Sequence, residues 1–196
     1  MTIDHAPPRQ RRDAPGGIVC AADLAAEPWR NGGGVTRRIA TGGSADRPDW
    51  TLSIADIDSA CRFSPFPGMD RTAVVVGDDP VDLTINDTTR TLALLDRVTF
   101  AGEDIVSANP IRRPTRLLNL MTQRATCGGT LTLRHVRGMV DPGADDTVAW
   151  VVLAGHLIVD QQQVRRWDTV FLADLTSEIR GAATVAVIRL HPEETQ

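Results

Sequence analysis

The sequence predicts an all-β protein. Three observations carry this: apolar residues recur with a period of two, turn signals interrupt the chain every 8–12 residues or so, and almost nothing repeats with a helical period. Short strands at such spacing are the signature of a β-sandwich or β-barrel.

Taken in order, residues 1–17 hold Pro, Arg, Gly and Asp with little to bury, which predicts a disordered tail. Ala21 to Ala26 reads as a helix of one or two turns. Thr51-Leu52-Ser53-Ile54-Ala55 and Val81-Asp82-Leu83-Thr84-Ile85 alternate and read as half-buried strands. Thr130-Leu131-Thr132-Leu133-Arg134 and Val185 to Leu190 read as half-buried or buried strands. Turns are marked by Gly77-Asp78-Asp79-Pro80, Asn86-Asp87, Cys127-Gly128-Gly129 and Asp141-Pro142-Gly143. His191 to Gln196 reads as a second frayed tail.

One pattern occurs twice. Thr72-Ala73-Val74-Val75-Val76-Gly77 leads to Val81 to Ile85, and Val148 to Ala154 leads through Gly155 to His156-Leu157-Ile158-Val159-Asp160. The second copy runs on through Gln161-Gln162-Gln163 to Trp167-Asp168-Thr169-Val170-Phe171-Leu172. Strand, turn, strand, sharp turn and buried strand is a jelly-roll hairpin. The sequence therefore predicts a duplicated small β-barrel whose halves meet near residues 105–125.

The chain has 196 residues, a net charge of −4, 42% apolar and 23% charged residues, an ordinary globular composition. Its longest apolar runs are far too short to span a bilayer as a helix. All 21 basic residues are Arg, so a lysine Schiff base and a P-loop lysine are excluded, and with no Tyr so is a tyrosine nucleophile. Cys20, Cys61 and Cys127 lack metal-ligand spacing and read as buried thiols of a reducing compartment. Arg11-Arg12 is followed by no apolar stretch, which argues against a twin-arginine signal and for a cytoplasmic location.

Two motifs carry candidate chemistry. In Glu27-Pro28-Trp29-Arg30-Asn31-Gly32-Gly33-Gly34-Val35-Thr36-Arg37-Arg38, three consecutive glycines free the backbone N–H groups to form an anion nest, and arginine forks flank them. The plainer reading is a flexible turn before a strand. Phe63-Ser64-Pro65-Phe66-Pro67-Gly68-Met69-Asp70-Arg71 sets two of the chain's four Phe in a rigid loop beside a charged pair. Here the plainer reading is a loop whose aromatics cap the barrel.

Other features point away from chemistry. Between Asp104 and Asp141 lie six arginines and no acid, but the acidic whole and the absence of any reader motif speak against nucleic acid. The four histidines, His5, His135, His156 and His191, lack metal spacing, so no metal or other cofactor is expected. His156, after its Gly turn, reads as a surface hairpin residue.

Pro28-Trp29-Arg30-Asn31-Gly32-Gly33-Gly34-Val35-Thr36-Arg37, Asp49-Trp50-Thr51-Leu52-Ser53-Ile54-Ala55 and Phe63 to Arg71 together resemble the signature segments of the HutD/Ves family, in that order and spacing. Phe100-Ala101-Gly102-Glu103 and Asn119-Leu120-Met121 with Arg124 fit its later segments, so the resemblance runs from about residue 18 to 190. It implies a cupin-superfamily fold of two tandem jelly-roll barrels, over 18–110 and 111–190, forming one compact bicupin. It also implies a metal-free small-molecule pocket and a regulatory role in histidine utilisation, with urocanate or formylglutamate as candidate ligands. Two positions depart from the family pattern: Arg38 and Leu117 stand where acids are usual.

On these grounds the expected ligand is a small anionic metabolite, with no nucleic acid or membrane partner and with self-association left open. The expected ligand-binding residues are Arg30, Asn31, Gly33, Thr36, Arg37, Ser53, Phe63, Phe66, Arg71, Asn119 and Arg124. Arg37 and Arg71 would hold the carboxylate, Phe63 and Phe66 its apolar part, and Asn119 would fix its orientation. The rival is a metal-independent isomerase, lyase or hydrolase using His135, Asp70 or Glu103 as acid or base. A third reading is an interaction protein with a vestigial pocket.

Overall fold

The computed structural model describes residues 16–44, 46–142, 146–173, 175 and 178–192. The tails expected over 1–17 and 191–196 fall mostly outside these residues. Within them, Gly16 has no regular structure, Gly17 opens the first strand, and His191 and Pro192 close the last.

The strands are β1 (Gly17–Val19), β2 (Ala26–Pro28), β3 (Gly34–Gly43), β4 (Pro48–Ile57), β5 (Cys61–Arg62), β6 (Met69–Val75), β7 (Val81–Ile85) and β8 (Thr88–Leu92). They continue as β9 (Arg97–Ala101), β10 (Val106–Pro110), β11 (Thr115–Gln123), β12 (Cys127–Val140), β13 (Thr147–Val159), β14 (Gln162–Val164), β15 (Thr169–Phe171) and β16 (Ile179–Pro192). The all-β expectation holds. The helix expected over Ala21 to Ala26 is only a 3-10 turn, Ala21–Asp23. So short a segment does not repay helix nucleation, and Ala26 joins β2 in pairing with β3 instead. No helix among the described residues is long and apolar enough to cross a membrane.

The chain forms two compact units. One comprises Leu24–Thr41 and Pro48–Ala125; the other holds the described residues up to Asp23, those within Gly42–Arg47, and those from Thr126 on. A cut at residue 110 does not follow these units, because β11 pairs between β4 and β6 while β1 pairs with β15.

The first unit has two sheets, ordered β2-β3-β4-β11-β6-β9 and β5-β10-β7-β8. Its core takes alternate residues from both: Ala55, Ala73, Val75, Val98 and Leu117 from one, Val81, Leu83, Val106 and Ala108 from the other. The second unit has one sheet, β1-β15-β13-β16-β12, with β14 also on β13, and a core around Trp150, Val152, Leu157, Val170 and Val185. Neither sheet path of the first unit nor that of the second closes into a ring of paired strands among the described residues.

The repeat read from the sequence has a structural counterpart. Asn86 and Asp87 take positive φ between the paired ends of β7 and β8, and Asp160 and Gln161 do so between β13 and β14. These are the two-residue turns that suit strand twist. Leu95 N–H donates to Val75 O and Val75 N–H to Asp96 O; Trp167 N–H likewise donates to Val152 O and Val152 N–H to Asp168 O. One detail differs from the sequence reading. Gly155 is not a turn between two strands but lies inside β13, just past a bulge between Val152 and Ala154. His156 is therefore a mid-strand exposed residue opposite Ala182, not a hairpin residue. Of the three thiols only Cys127 is buried; Cys20 and Cys61 are half-buried.

Candidate functional site

In the two-sheet unit, register aligns a polar patch above an apolar floor. Arg71 on β6 lies opposite Met121 on β11 and Phe100 on β9. The next row on the same face is Ser53, Asn119, Ala73 and Val98, and the row beyond holds Ala55, Leu117 and Val75 of the core.

Arg71 is 7% exposed. Its guanidinium carbon stands 4.8 Å from the Phe100 ring centroid, 5.2 Å from Phe63 and 5.5 Å from Phe66. Cation–π attraction operates at such distances and offsets part of the lost hydration. Among the described residues no carboxylate pairs with it, and its Nε–H has no acceptor. Burial pulls the guanidinium pKa down to about 10, which leaves it charged at neutral pH. A buried cation without a counter-charge is costly, and a bound anion relieves that cost.

The surrounding loop is built to hold this box. Trp29 Nε1 donates to Thr36 Oγ1 at 2.7 Å, and its ring meets Phe63 edge-on at 5.8 Å. Thr36 thus supports the site through Trp29. Phe63 N–H donates to Val106 O and Phe66 N–H to Gly102 O. A Cβ on Gly102 would lie 1.9 Å from Phe66 O, so only glycine lets the loop close here.

Several expected residues do other work. Arg37 is ion-paired with Asp56, which also accepts from Arg116 Nε at 2.5 Å. Asp56 is paired in register with Arg116, on the face opposite Asn119 and Arg71, so Arg37 is not beside the aromatic box. Arg124 bridges Asp70 at 2.8 Å and Glu103 at 3.2 Å and donates to Met69 O. It fastens the loop and is not free for a ligand. Asn31 donates to Arg62 O and accepts from Gly33 N–H at 3.1 Å, so that N–H is not offered to an anion. A Cβ on Gly33 would fall 2.2 Å from Cys61 Cβ, and one on Gly34 would fall 2.0 Å from Asp56 O. The glycine run thus serves close packing, not an open nest. Burial first, and Asp58 second, push the Cys61 thiol pKa up. Arg30 stands exposed on the turn.

Of the candidate acids and bases, Asp70 and Glu103 meet at Arg124. Glu103 accepts from Gly68 N–H at 2.6 Å; that bond first, and Arg124 second, hold its carboxyl pKa down to about 2. Asp70 is tied to Arg124. His135 is exposed, shares a hydrogen bond with Thr184 Oγ1 at 2.9 Å, and belongs to the one-sheet unit. Among the described residues no three His, Cys, Asp or Glu side chains cluster. The two departures from the family pattern are accommodated locally: Arg38 meets Glu27 at 3.3 Å on the surface, and Leu117 is core.

So Phe63, Phe66 and Arg71 meet, Ser53 and Asn119 lie on the Arg71 face of the sheet, Arg37 lies on the other face, and Asn31, Gly33 and Arg124 make the loop contacts above. The sequence reading missed Phe100 and Trp29 as site residues. Trp29 lies within the quoted glycine-run motif, but Phe100 is brought to Arg71 only by the β6–β9 register.

The described residues of the one-sheet unit form no equivalent box at the matching positions. Matching Asp96 with Asp168 sets Val148 and Leu172 at the places of Arg71 and Phe100, and buried Trp150 at the place of Ala73.

The HutD family model matches residues 21–187. A 21.2 kDa protein of the hutC 3' region of Pseudomonas putida is 36% identical over 107 residues, 53% of this chain and 56% of the relative. Protein Ves of Citrobacter koseri is 38% identical over 102 residues, 50% of this chain and 53% of the relative. The chain thus spans about half the length of the curated relatives it matches. HutD from Pseudomonas fluorescens SBW25, solved in a formate condition, superposes with a TM-score of 0.74 at 27% identity, covering 90% of this chain and 98% of that one. A cupin 2 conserved barrel domain protein from Leptotrichia buccalis superposes at 0.61 with 12% identity, covering 89% of this chain and 96% of the other, a likeness of fold alone. The fold is cupin-like.

Proposed function

The chain belongs to the HutD family, and from that premise we propose that it binds a small carboxylate metabolite at Arg71 and acts as a metal-free sensor or regulator in histidine utilisation. The observation that carries the reading is the buried Arg71 guanidinium, enclosed by Phe63, Phe66 and Phe100 with no counter-charge among the described residues. Phe63 and Phe66 would pack on the apolar part of the ligand, and Ser53 and Asn119 would line the adjacent row. The hut-region relative supports the pathway. The same proposal takes the two units as the halves of a tandem cupin arrangement in the cytoplasm, with only the two-sheet unit keeping a ligand site.

A catalytic role finds less support. Glu103 and Asp70 are both engaged with Arg124, and His135 shares a hydrogen bond with Thr184.

The test is a thermal-shift screen with urocanate, formylglutamate, histidine, glutamate, formate and phosphate, with metal analysis of the same preparation. A ligand at 100 times its Kd adds about 2.7 kcal/mol of stability. A shift with urocanate or formylglutamate and not with phosphate is the expected result. No shift with any carboxylate would remove the proposal, and stoichiometric metal would remove its metal-free part.

A further inference from the structure

Asn119 is 5% exposed and sits one row from Arg71 on the same sheet face. Its Nδ2 donates to Leu117 O at 3.2 Å. That bond fixes the amide orientation, since flipping it would set two carbonyl oxygens against each other. Its Oδ1 is buried and no group among the described residues donates to it. A buried acceptor left without a donor is costly, so the arrangement favours a ligand that supplies one. Arg71 and Asn119 are diagonal neighbours across β6 and β11, about 7–8 Å apart at the backbone, a span that one small molecule bridges.

Resting on the carboxylate reading above, we infer that the ligand bears two groups: an anion for the Arg71 guanidinium and an N–H or O–H donor for Asn119 Oδ1. The donor end is uncharged or weakly basic, because a full cation would be placed beside a guanidinium in a poorly hydrated site. Asn119 is then the residue that sets specificity, and Arg71 the one that sets affinity for the carboxylate class. A carboxylate without the donor still meets Arg71 but leaves Oδ1 unpaired, which is how a polar site rejects an isostere lacking one hydrogen bond.

The test uses isosteric acids that differ by one donor: pyrrole-2-carboxylate against furan-2-carboxylate, and the longer 3-(pyrrol-2-yl)acrylate against 3-(furan-2-yl)acrylate. Titration calorimetry on the intact protein, with formate as the minimal carboxylate, gives the dissociation constants. For at least one pair, the pyrrole acid is expected to bind about tenfold tighter or better, and Asn119→Leu to erase the difference. Equal binding of both members of both pairs, with formate or the acids still bound, would overturn the inference and leave the carboxylate site standing. Failure of every carboxylate, formate included, would remove both. The wild-type comparison decides even where Asn119→Leu does not fold.

Discussion

The Arg71 guanidinium stands 4.8 Å from the centroid of the Phe100 ring, its direct partner across the β6–β9 pair. With Phe63 and Phe66 also within cation–π distance, the charge is buried against aromatic faces and, among the described residues, against no carboxylate. Such a group weakens the empty protein and strengthens the bound one. Arg71→Met should therefore raise thermal stability, by on the order of 1 kcal/mol or more, while weakening carboxylate binding. Melting curves of the unliganded proteins check this; a clear loss of stability in Arg71→Met would mean that the charge is balanced within the fold.

Asp56 presents the opposite case. It accepts from both Arg37 and Arg116, so Asp56→Ala leaves two half-buried guanidinium groups without their shared partner. We expect a loss of about 1–3 kcal/mol in denaturant unfolding, between the exposed and the buried ion-pair ranges. A cost below about 0.5 kcal/mol would show that the cluster is fully screened.

The carboxyl of Glu103 is held down to about 2 from an ordinary 4.5. A depressed folded-state pKa gives stability that is fully present above about 4.5 and lost as pH falls toward about 2. Glu103→Gln should lower the melting temperature at neutral pH and converge with the wild type near pH 2. Parallel melting curves across that range would contradict the Gly68–Glu103–Arg124 fastening.

The glycine run makes a steric prediction. Gly34→Ala would drive a methyl to 2.0 Å from Asp56 O, and backbone cannot retreat as a side chain would. It should cost about 1–3 kcal/mol or prevent folding. Gly32→Ala meets no atom within 4 Å but sits at a φ of +70°, so its smaller penalty is one of backbone strain. Equal stability of Gly34→Ala and wild type would refute the packing role.

Asp96 and Asp168 cap the same turn in the two units, accepting from Ala93 N–H and Arg165 N–H, each at 2.8 Å. Asp168 also accepts from Ala21 N–H at 2.8 Å. Asp96→Ala should cost about 1 kcal/mol and Asp168→Ala about twice that, which chemical denaturation measures. The reverse order would break the proposed correspondence.

Much of this architecture was legible in the residues. Alternation marked β4, β7, β12 and β16, and Asn86-Asp87 marked its turn, because strand period and turn chemistry are local. The Phe63–Arg71 segment was legible as a loop gathering aromatics and a charged pair for the same reason. What was not legible depends on pairing between distant segments. Arg37 looked like a ligand residue beside three glycines until the β4–β11 register placed Arg116 and Asp56 on its side of the sheet. Arg124 looked free until Asp70 and Glu103 were brought to it from β6 and the loop after β9. Phe100 carries no local mark of its role, and the unclosed sheets are equally invisible to a periodicity that treats every strand alike.

The most direct measurement is calorimetric titration of urocanate, formylglutamate and formate into the wild type, Arg71→Met and Arg37→Ala in parallel. Loss of a charged hydrogen bond costs roughly 1.5–3 kcal/mol, or about 10–150-fold in affinity. The account predicts that loss in Arg71→Met and near wild-type binding in Arg37→Ala. Undiminished binding in Arg71→Met, or a loss confined to Arg37→Ala, would contradict it.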